Sequence, residues 1–382
     1  MELTTQKIPQ ADENLPGENR LKEFWLIFSQ NRLAIAGLIC FIIFFVVALT
    51  GLACTSGQDP LFDPAQVRLQ EKLKAPFSMS NPEILTEKEV PRLGLYILGT
   101  DDLGRDLFAR MLQGAWVSLT VGFVAVGLAV IIGIFLGGIA GYFGNRHLHL
   151  YQFMITCIIS SGVILMSKEN LSTPGAALFV FGHILILLAL IFRKQLKDRG
   201  RFLMIKVVSI DTLIMRLVDI MLCFPSFFLV LTVVALLPAS IYNIMIIIGL
   251  TSWMGTTRFV RAEFLSLREQ DFVTAAKALG ISDFRIIFRH IMPNAIAPVL
   301  VSSTIGIATA ILTEAGLSFL GFGVPPPHAT WGNILSDGKG FIFDAPWLTL
   351  IPGITILVVV LSFNLFGEGL KDALNPKLRE AK

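Results

Sequence analysis

Residues Arg258 to Pro293 read RFVRAEFLSLREQDFVTAAKALGISDFRIIFRHIMP, a charged stretch set between two long apolar segments in a chain that is 54% hydrophobic. From Arg261 to Leu279 the apolar residues Phe264, Leu267, Phe272, Ala275, Ala276 and Leu279 recur at helical spacing, with Arg268, Glu269 and Lys277 off that face. One helix is predicted there. Gly280 can take the left-handed conformation that stops a helix, and Ser282 or Asp283 can cap the next one. The second helix, about 284–292, would carry Phe284, Ile287, Phe288 and Ile291 on one side and Arg285 and Arg289 on another, with Pro293 limiting it. The product is a helix–glycine–helix knob. Its small residues Ala275, Ala276 and Ala278 would let another backbone approach closely. Two readings are open: an amphipathic loop lying on lipid headgroups, and a docking element for a soluble partner.

Outward from this stretch the chain is a membrane protein. A mean hydropathy of +0.71 with only 15% charged residues over 382 positions excludes an ordinary soluble domain. The net charge of +3 is too small to suggest nucleic acid. Cys40, Cys54, Cys157 and Cys223 lack metal-ligand spacing and read as small apolar fillers.

Residues 1–32 form a polar N-terminal segment ending in EFWLIFSQNR, an interfacial helix with Trp25 at headgroup level. Residues 33–53 are long and apolar enough to cross about 30 Å of hydrocarbon. Residues 54–112, with Pro60, Pro64, Pro76, Pro82 and Pro91, are too irregular to lie in lipid and form a loop on one side. That loop ends in a crowd of charges, Asp101, Asp102, Arg105 and Asp106, which by themselves read as a solvated, internally paired surface. Residues 113–144 hold the second span, rich in glycine as expected of a helix packed tightly on others. Residues 145–210 hold an inserted helical hairpin (151–166 and 176–192) and a basic segment, RKQLKDRGRFLMIK. Residues 211–367 hold four further spans (213–237, broken near Pro225; 241–259; 295–317; 348–366), with the segment 258–293 and the Pro/Gly/aromatic loop 318–346 between them. Residues 368–382 are a polar tail.

Six spans plus the hairpin make an even number, so both termini share a compartment. Segment 258–290 and segment 193–206 each carry six Lys or Arg, and loop 318–346 carries Lys339 alone. The excess of positive charge puts the termini, 193–206 and 258–293 in the cytoplasm.

Within the spans the costly residues are Arg216, Asp219, Glu314, His183 and Asn364. Arg216 and Asp219 read as a mutual pair, three residues apart on one face. Glu314 either lines a pathway or reaches water from the end of its helix. His183 reads as structural, and Asn364 as a partner in a helix–helix hydrogen bond. The sequence has no phosphate-binding loop, since Gly338-Lys339-Gly340 lacks the leading glycine and the hydroxyl. No clustered metal ligands and no nucleophile elbow accompany it. A membrane enzyme therefore lacks a catalytic constellation, and a self-sufficient secondary carrier would need paired midplane charges and inverted repeats, which are not evident apart from the Pro225 break.

Several stretches also resemble a known family. TAAKALG (274–280), followed by Ile291-Met292-Pro293, resembles the coupling loop of bacterial ABC importer permeases, in which Glu-Ala-Ala is followed after three residues by Gly; Thr274 stands in the place of the Glu. Gly99-Thr100-Asp101 and Gly104-Arg105-Asp106 resemble a signature of the peptide-permease branch. With FWLIFSQNRLAIAGL, DTLIMRLVDIMLCFPS, EAGLSFLGFGVPPPHATWGNIL and DAPWLTLIPG in order, the chain resembles the C-type subunit of the dipeptide/oligopeptide/nickel permeases. The resemblance implies an all-α polytopic protein, an ABC importer type I transmembrane domain of six core helices, here with the extra hairpin. It implies a multi-pass place in a bacterial inner membrane. The implied partners are a second homologous permease subunit in a heterodimer, two cytoplasmic ATPase subunits that use the ATP, an extracytoplasmic substrate-binding protein and lipid, with no nucleic acid and no cofactor bound by the chain itself. It further implies that Thr274, Ala275, Ala276, Gly280, Asp283, Arg285 and Pro293 couple to the ATPase. The implied cargo is peptide; nickel, another small solute or carrier-type transport are the alternatives.

Overall fold

The computed structural model describes residues 19–57, 59–86, 89–144, 146–149, 181, 184 and 206–374. The expected hairpin with His183, the basic segment 193–205, Cys157, the first 18 residues and the tail beyond 374 lie outside the described residues. Helices dominate: α1 (Asn19–Gln30), α2 (Arg32–Thr55), α3 (Leu107–Phe143), α4 (Ile210–Leu222), α5 (Ser226–Leu236), α6 (Ile241–Leu267), α7 (Asp271–Ala278), α8 (Asp283–Ile286), α9 (Met292–Phe319), α10 (Trp331–Gly338) and α11 (Trp347–Leu374). Two antiparallel ribbons add a little strand, β1 (Ser78–Met79) with β2 (Leu95–Tyr96), and β3 (His147–His149) with β4 (Lys206–Ser209). The second ribbon ties together the two ends of the segment 145–210.

Among the described residues four stretches are long and apolar enough to cross a membrane: Arg32–Thr55, Leu107–Phe143, Asp283–Phe319 and Trp347–Leu374, with α4 and α5 a fifth if that pair, bent by 78°, is one span. The bend falls at Cys223-Phe224-Pro225. Pro225 has no N–H for the helix ladder and disfavours the helical region for Phe224, so the span over 213–237 is two helices, broken where the sequence places the break. Helix α6 is a sixth long helix, but Arg258, Arg261 and Glu263 make its last third polar.

The chain divides into two compact units. The first comprises residues 1–127, 230–249 and 300–382. Here Asn31 caps α2, its side-chain oxygen accepting from the N–H groups of Leu33 and Ala34 at 3.1 Å each. Helix α1 buries Phe28 against Ala34 and Ala373, with Phe24, Ile27 and Phe366 around them, and leaves Trp25 exposed. Helices α2 and α11 touch at Gly37, where a Cβ would lie 2.8 Å from the Phe366 N and Leu365 Cβ. Asp106 caps α3, accepting from the Phe108 N–H at 2.9 Å, so that helix begins within the expected loop 54–112.

The second unit comprises residues 128–229 and 250–299. Its core joins Val260 and Phe264 of α6, Val273 and Ala276 of α7, Ile286 of α8, and Ile291, Ala295 and Val299, with Val130, Ile134 and Tyr142 of α3 packed on it. A stripe on α3 lets α6 come close. A Cβ at Gly133 would stand 2.6 Å from the Thr256 Cβ, one at Gly137 2.6 Å from the Thr257 carbonyl oxygen, and one at Gly141 2.5 Å from the Phe264 Cβ. Close backbone approach of this kind is how helices associate where lipid offers no hydrophobic driving force.

Candidate functional site

The stretch 258–293 is a knob, but not two simple helices. The single helix expected over 261–279 is broken: α6 ends at Leu267, a turn holds 268–270, and α7 starts at Asp271. The Arg268 guanidinium turns back to donate to the Gly141 carbonyl at 2.8 Å. Asp271 in the first turn of α7 and Lys277 in its last complement the helix dipole.

Helix α7 ends as the sequence requires. Gly280 has φ +72°, its N–H donates to the Lys277 carbonyl at 3.0 Å, and the Ile281 N–H donates to the Ala276 carbonyl at 3.1 Å. This is the six-to-one and five-to-two pair of bonds that closes a helix through a left-handed residue. A Cβ at Gly280 would meet nothing within 4 Å. Backbone conformation alone, then, selects glycine.

Pro293 does not limit the second helix. Helix α8 passes through a π-turn over Ile287–Ile291 into α9, where Pro293 occupies the first turn and needs no N–H. The missing Pro293 donor leaves the Arg289 carbonyl outside the α-ladder, and the Met292 N–H reaches back to Ile287 instead. The wide turn makes a joint between knob and span.

The faces also differ from the expected ones. Val273, Ala276, Ile286 and Ile291 point into the core, so Ala276 is unavailable to a partner. Phe284 and Phe288, expected on one side with Ile287 and Ile291, are exposed while Ile291 is buried, their rings tilted against each other at a 4.5 Å centroid separation. Leu279 is 79% and Phe284 72% exposed. Thr274, Ala275, Lys277, Ala278, Arg285, Arg289 and Pro293 are exposed beside them. Asp283 is not a free charge: Tyr142 Oη and Arg146 Nη2 each donate to its carboxylate at 2.7 Å. Asp283 thus fastens the knob to the end of α3, and the Lys277 ammonium lies 5.6 Å over the Tyr142 ring. Arg261 grips Asp211 through both carboxylate oxygens, the Nη2 contact at 2.6 Å, tying α6 to the start of α4.

The charge crowd at 101–106 belongs to the first unit and is no solvated surface. Asp101 is fully buried. It accepts from the Leu103 and Arg105 N–H groups at 2.9 Å each, from Arg105 Nε at 2.6 Å and from Arg110 Nη1 at 2.5 Å. The two arginines then converge on Asp337 of α10, at 3.1 and 2.8 Å. Gly104 has φ +71° and lies against the Arg68 carbonyl, where any side chain would collide. Thr100 Oγ1 donates to the Glu71 carbonyl at 2.5 Å and accepts from the Lys74 N–H at 2.8 Å. Arg110 and Asp337, more than 220 positions apart, had no sequence signal linking them.

Glu314 does not reach water. It is fully buried in the first unit, accepting from Ser318 Oγ at 2.6 Å and Ser118 Oγ at 3.4 Å. Arg216 and Asp219 stand 3.7 Å apart, while Asp219 takes a shorter bond, 2.6 Å, from Arg258 Nη2. The expected mutual pair is therefore mainly a bridge from α4 to α6. Asn364 is exposed on α11, with no helix–helix hydrogen bond from its side chain among the described residues.

Apolar helices of spanning length, a fastened knob in a charged inter-helix segment and a bent helix pair define a polytopic membrane protein of transporter type. Residues 203–380 match the model of the inner membrane component of binding-protein-dependent transport systems, and residues 19–76 that of the N-terminal transmembrane domain of oligopeptide transport permease C. A dipeptide transport system permease protein of Alkalihalophilus pseudofirmus is 34% identical, over 97% of this chain and 94% of its own. One from Haemophilus influenzae is 33% identical over 94% and 96%, and an oligopeptide transport system permease protein of Bacillus subtilis is 30% identical over 94% and 90%. The chain belongs to the dipeptide/oligopeptide permease family of ABC importers.

Proposed function

We propose that the chain forms the translocation pathway for peptides together with a second homologous permease subunit, and that its knob is where separate ATPase subunits deliver force. The observation that carries this is the two-sidedness of the knob. Its inner face is locked by Val273, Ala276, Ile286 and Ile291 and by the Tyr142–Arg146–Asp283 contacts. Its outer face presents Leu279, Phe284 and Phe288 with no covering element among the described residues, edged by Lys277, Arg285 and Arg289. An apolar patch with a basic rim, held rigidly beneath, suits a protein partner better than bulk water.

The chain itself carries no nucleotide-binding motif, so ATP is bound and hydrolysed by the partner subunits. The basic residues of 258–290 and 193–206 support a cytoplasmic knob and cytoplasmic termini in the bacterial inner membrane. An extracytoplasmic binding protein delivers substrate to the opposite side, at 54–112 and 318–346. The printed names of the relatives support peptides over nickel as cargo. Thr274 does not supply the charge that a Glu would, so contact at that position is made by surface shape.

The test is extraction in mild detergent from cells carrying all subunits. The parent chain should bring down the ATPase subunits. The double variant Leu279→Asp/Phe284→Asp should insert at normal abundance and lose them, together with ATP-dependent peptide uptake. Full recovery of ATPase with the double variant would refute docking at the knob.

A further inference from the structure

The first unit contains a cavity of about 610 Å³ that lies outside the spanning helices except at the start of α3. That size falls within the roughly 300–1,000 Å³ of small-molecule sites. One wall is the segment 59–68, a second is 90–97, and Asp106 and Phe108 close it. Its apolar lining includes Phe62 and Phe108, packed edge to face at 5.4 Å.

The walls carry charges of both signs. Asp59 and Asp63 line the first wall, and Arg92 lines the second. Asp63 uses one oxygen to accept from the Ala65 N–H at 2.8 Å. None of the three makes an ion pair among the described residues. Arg68, also in the wall, is only 6% exposed. Its Nε donates to the Glu89 carbonyl at 2.5 Å and its Nη2 to the Gln66 side-chain oxygen at 3.0 Å, while Nη1 has no hydrogen-bond partner. That nitrogen is itself buried, so Arg92 is the arginine whose charge the cavity leaves exposed. Asp106, the remaining acid, is engaged in capping α3.

A peptide with free termini is the ligand that matches: an ammonium for Asp59 and Asp63, a carboxylate for Arg92, and side chains for the aromatic and aliphatic lining. We propose that this cavity is an accessory site for a short zwitterionic peptide, gripped by its two charged ends. The proposal rests on the peptide-importer reading above. In that setting the cavity would hold substrate on the permease itself, apart from the binding protein.

The test uses the full chain in lipid nanodiscs, without binding protein or ATPases. Binding of radiolabelled Ala-Phe-Ala is compared with that of its N-acetylated and C-amidated forms. Blocking either end should weaken binding at least tenfold. Arg92→Gln should weaken the free peptide at least tenfold but leave the C-amidated peptide unchanged. Asp59→Asn should do the same against the N-acetylated peptide. Both residues are exposed, so neither change threatens the fold. Equal binding of free and blocked peptides, or no saturable binding, overturns the site. Peptide uptake by cells dependent on this transporter is measured in parallel: uptake that persists while the cavity binds nothing sinks the site and leaves the importer reading standing, and uptake of no peptide sinks the importer reading itself.

Discussion

Two stretches carry the family resemblance most strongly, 99–106 in the first unit and 274–293 in the second, and they have opposite physical characters. The first is rich in charge and sealed in: Asp101 is fully buried with two arginines and two backbone N–H groups on its carboxylate. The second is built around alanine, glycine and phenylalanine, and turns its largest apolar side chains outward. Hydropathy alone would have assigned these roles the other way round. A charge cluster stays buried when every charge finds a partner within about 3 Å, because breaking such a set leaves a buried ion uncompensated. An apolar cluster stays exposed when the segment is fastened from behind by other residues and another molecule supplies its cover. The first stretch is thus a keystone of this chain, and the second is the contact proposed for another.

The largest expected effect lies in the keystone. Asp101→Ala leaves Arg105 and Arg110 sharing Asp337 alone and empties the buried centre of the cluster, which should cost about 3 kcal/mol, read as loss of membrane-inserted protein and a lowered melting temperature in detergent. A variant melting like the parent would break the contrast between the stretches. Next comes Gly280→Ala. Its Cβ has room, so only the left-handed backbone resists it, at a cost of about 1–2 kcal/mol; Gly280→Pro, which cannot reach φ +72°, should be worse.

A smaller effect concerns pH. Burial pushes the Asp106 carboxyl above the usual carboxylate range, against the pull of the Phe108 and Ala109 N–H groups and the Arg68 charge. Because the folded form holds this proton longer than the unfolded one, the stability it contributes is complete below the ordinary carboxylate value and is lost as pH rises through the raised one. Burial and the neighbouring Asp101 move Asp102 the same way. Glu71 moves oppositely: burial raises it, but hydrogen bonds from Lys74 and the Asn81 N–H lower it further. The observable is therefore a difference: for Asp106→Asn, which can still cap α3, the parent's melting temperature minus the variant's should decrease as pH rises across the acid range. The smallest expected change in stability belongs to Phe284→Ser, within about 0.5 kcal/mol as for other exposed positions, together with clear loss of ATPase co-purification.

Much of the fold was legible because its signals are local. Apolar runs gave four of the spans, Pro225 gave the 78° break, and Gly280 gave the end of α7. The misread parts depend on distant partners. Nothing in the sequence near Arg268 announces that it will reach the Gly141 carbonyl and break a helix there. Nothing near Asp101 announces Asp337. The knob's buried face had a faint local signal, since Val273 and Ala276 share a spacing of three, yet the larger Phe272, Phe284 and Phe288 outweighed it. A rule that puts large apolar residues inward is one-way, and these three are exposed. Of the two readings of Glu314, reaching water fails for a similar reason, since its hydroxyl partner Ser118 lies on another helix.

The account rests on a knob that faces the cytosol and is covered there by an ATPase. Leu279→Cys, in a chain whose four native cysteines are replaced by alanine or serine, tests this directly with a membrane-impermeant maleimide. The label should react in inside-out vesicles stripped of ATPase, be blocked when the ATPase is restored, and fail in intact cells. Labelling of Leu279→Cys in intact cells would put the knob on the wrong side of the membrane and contradict the account.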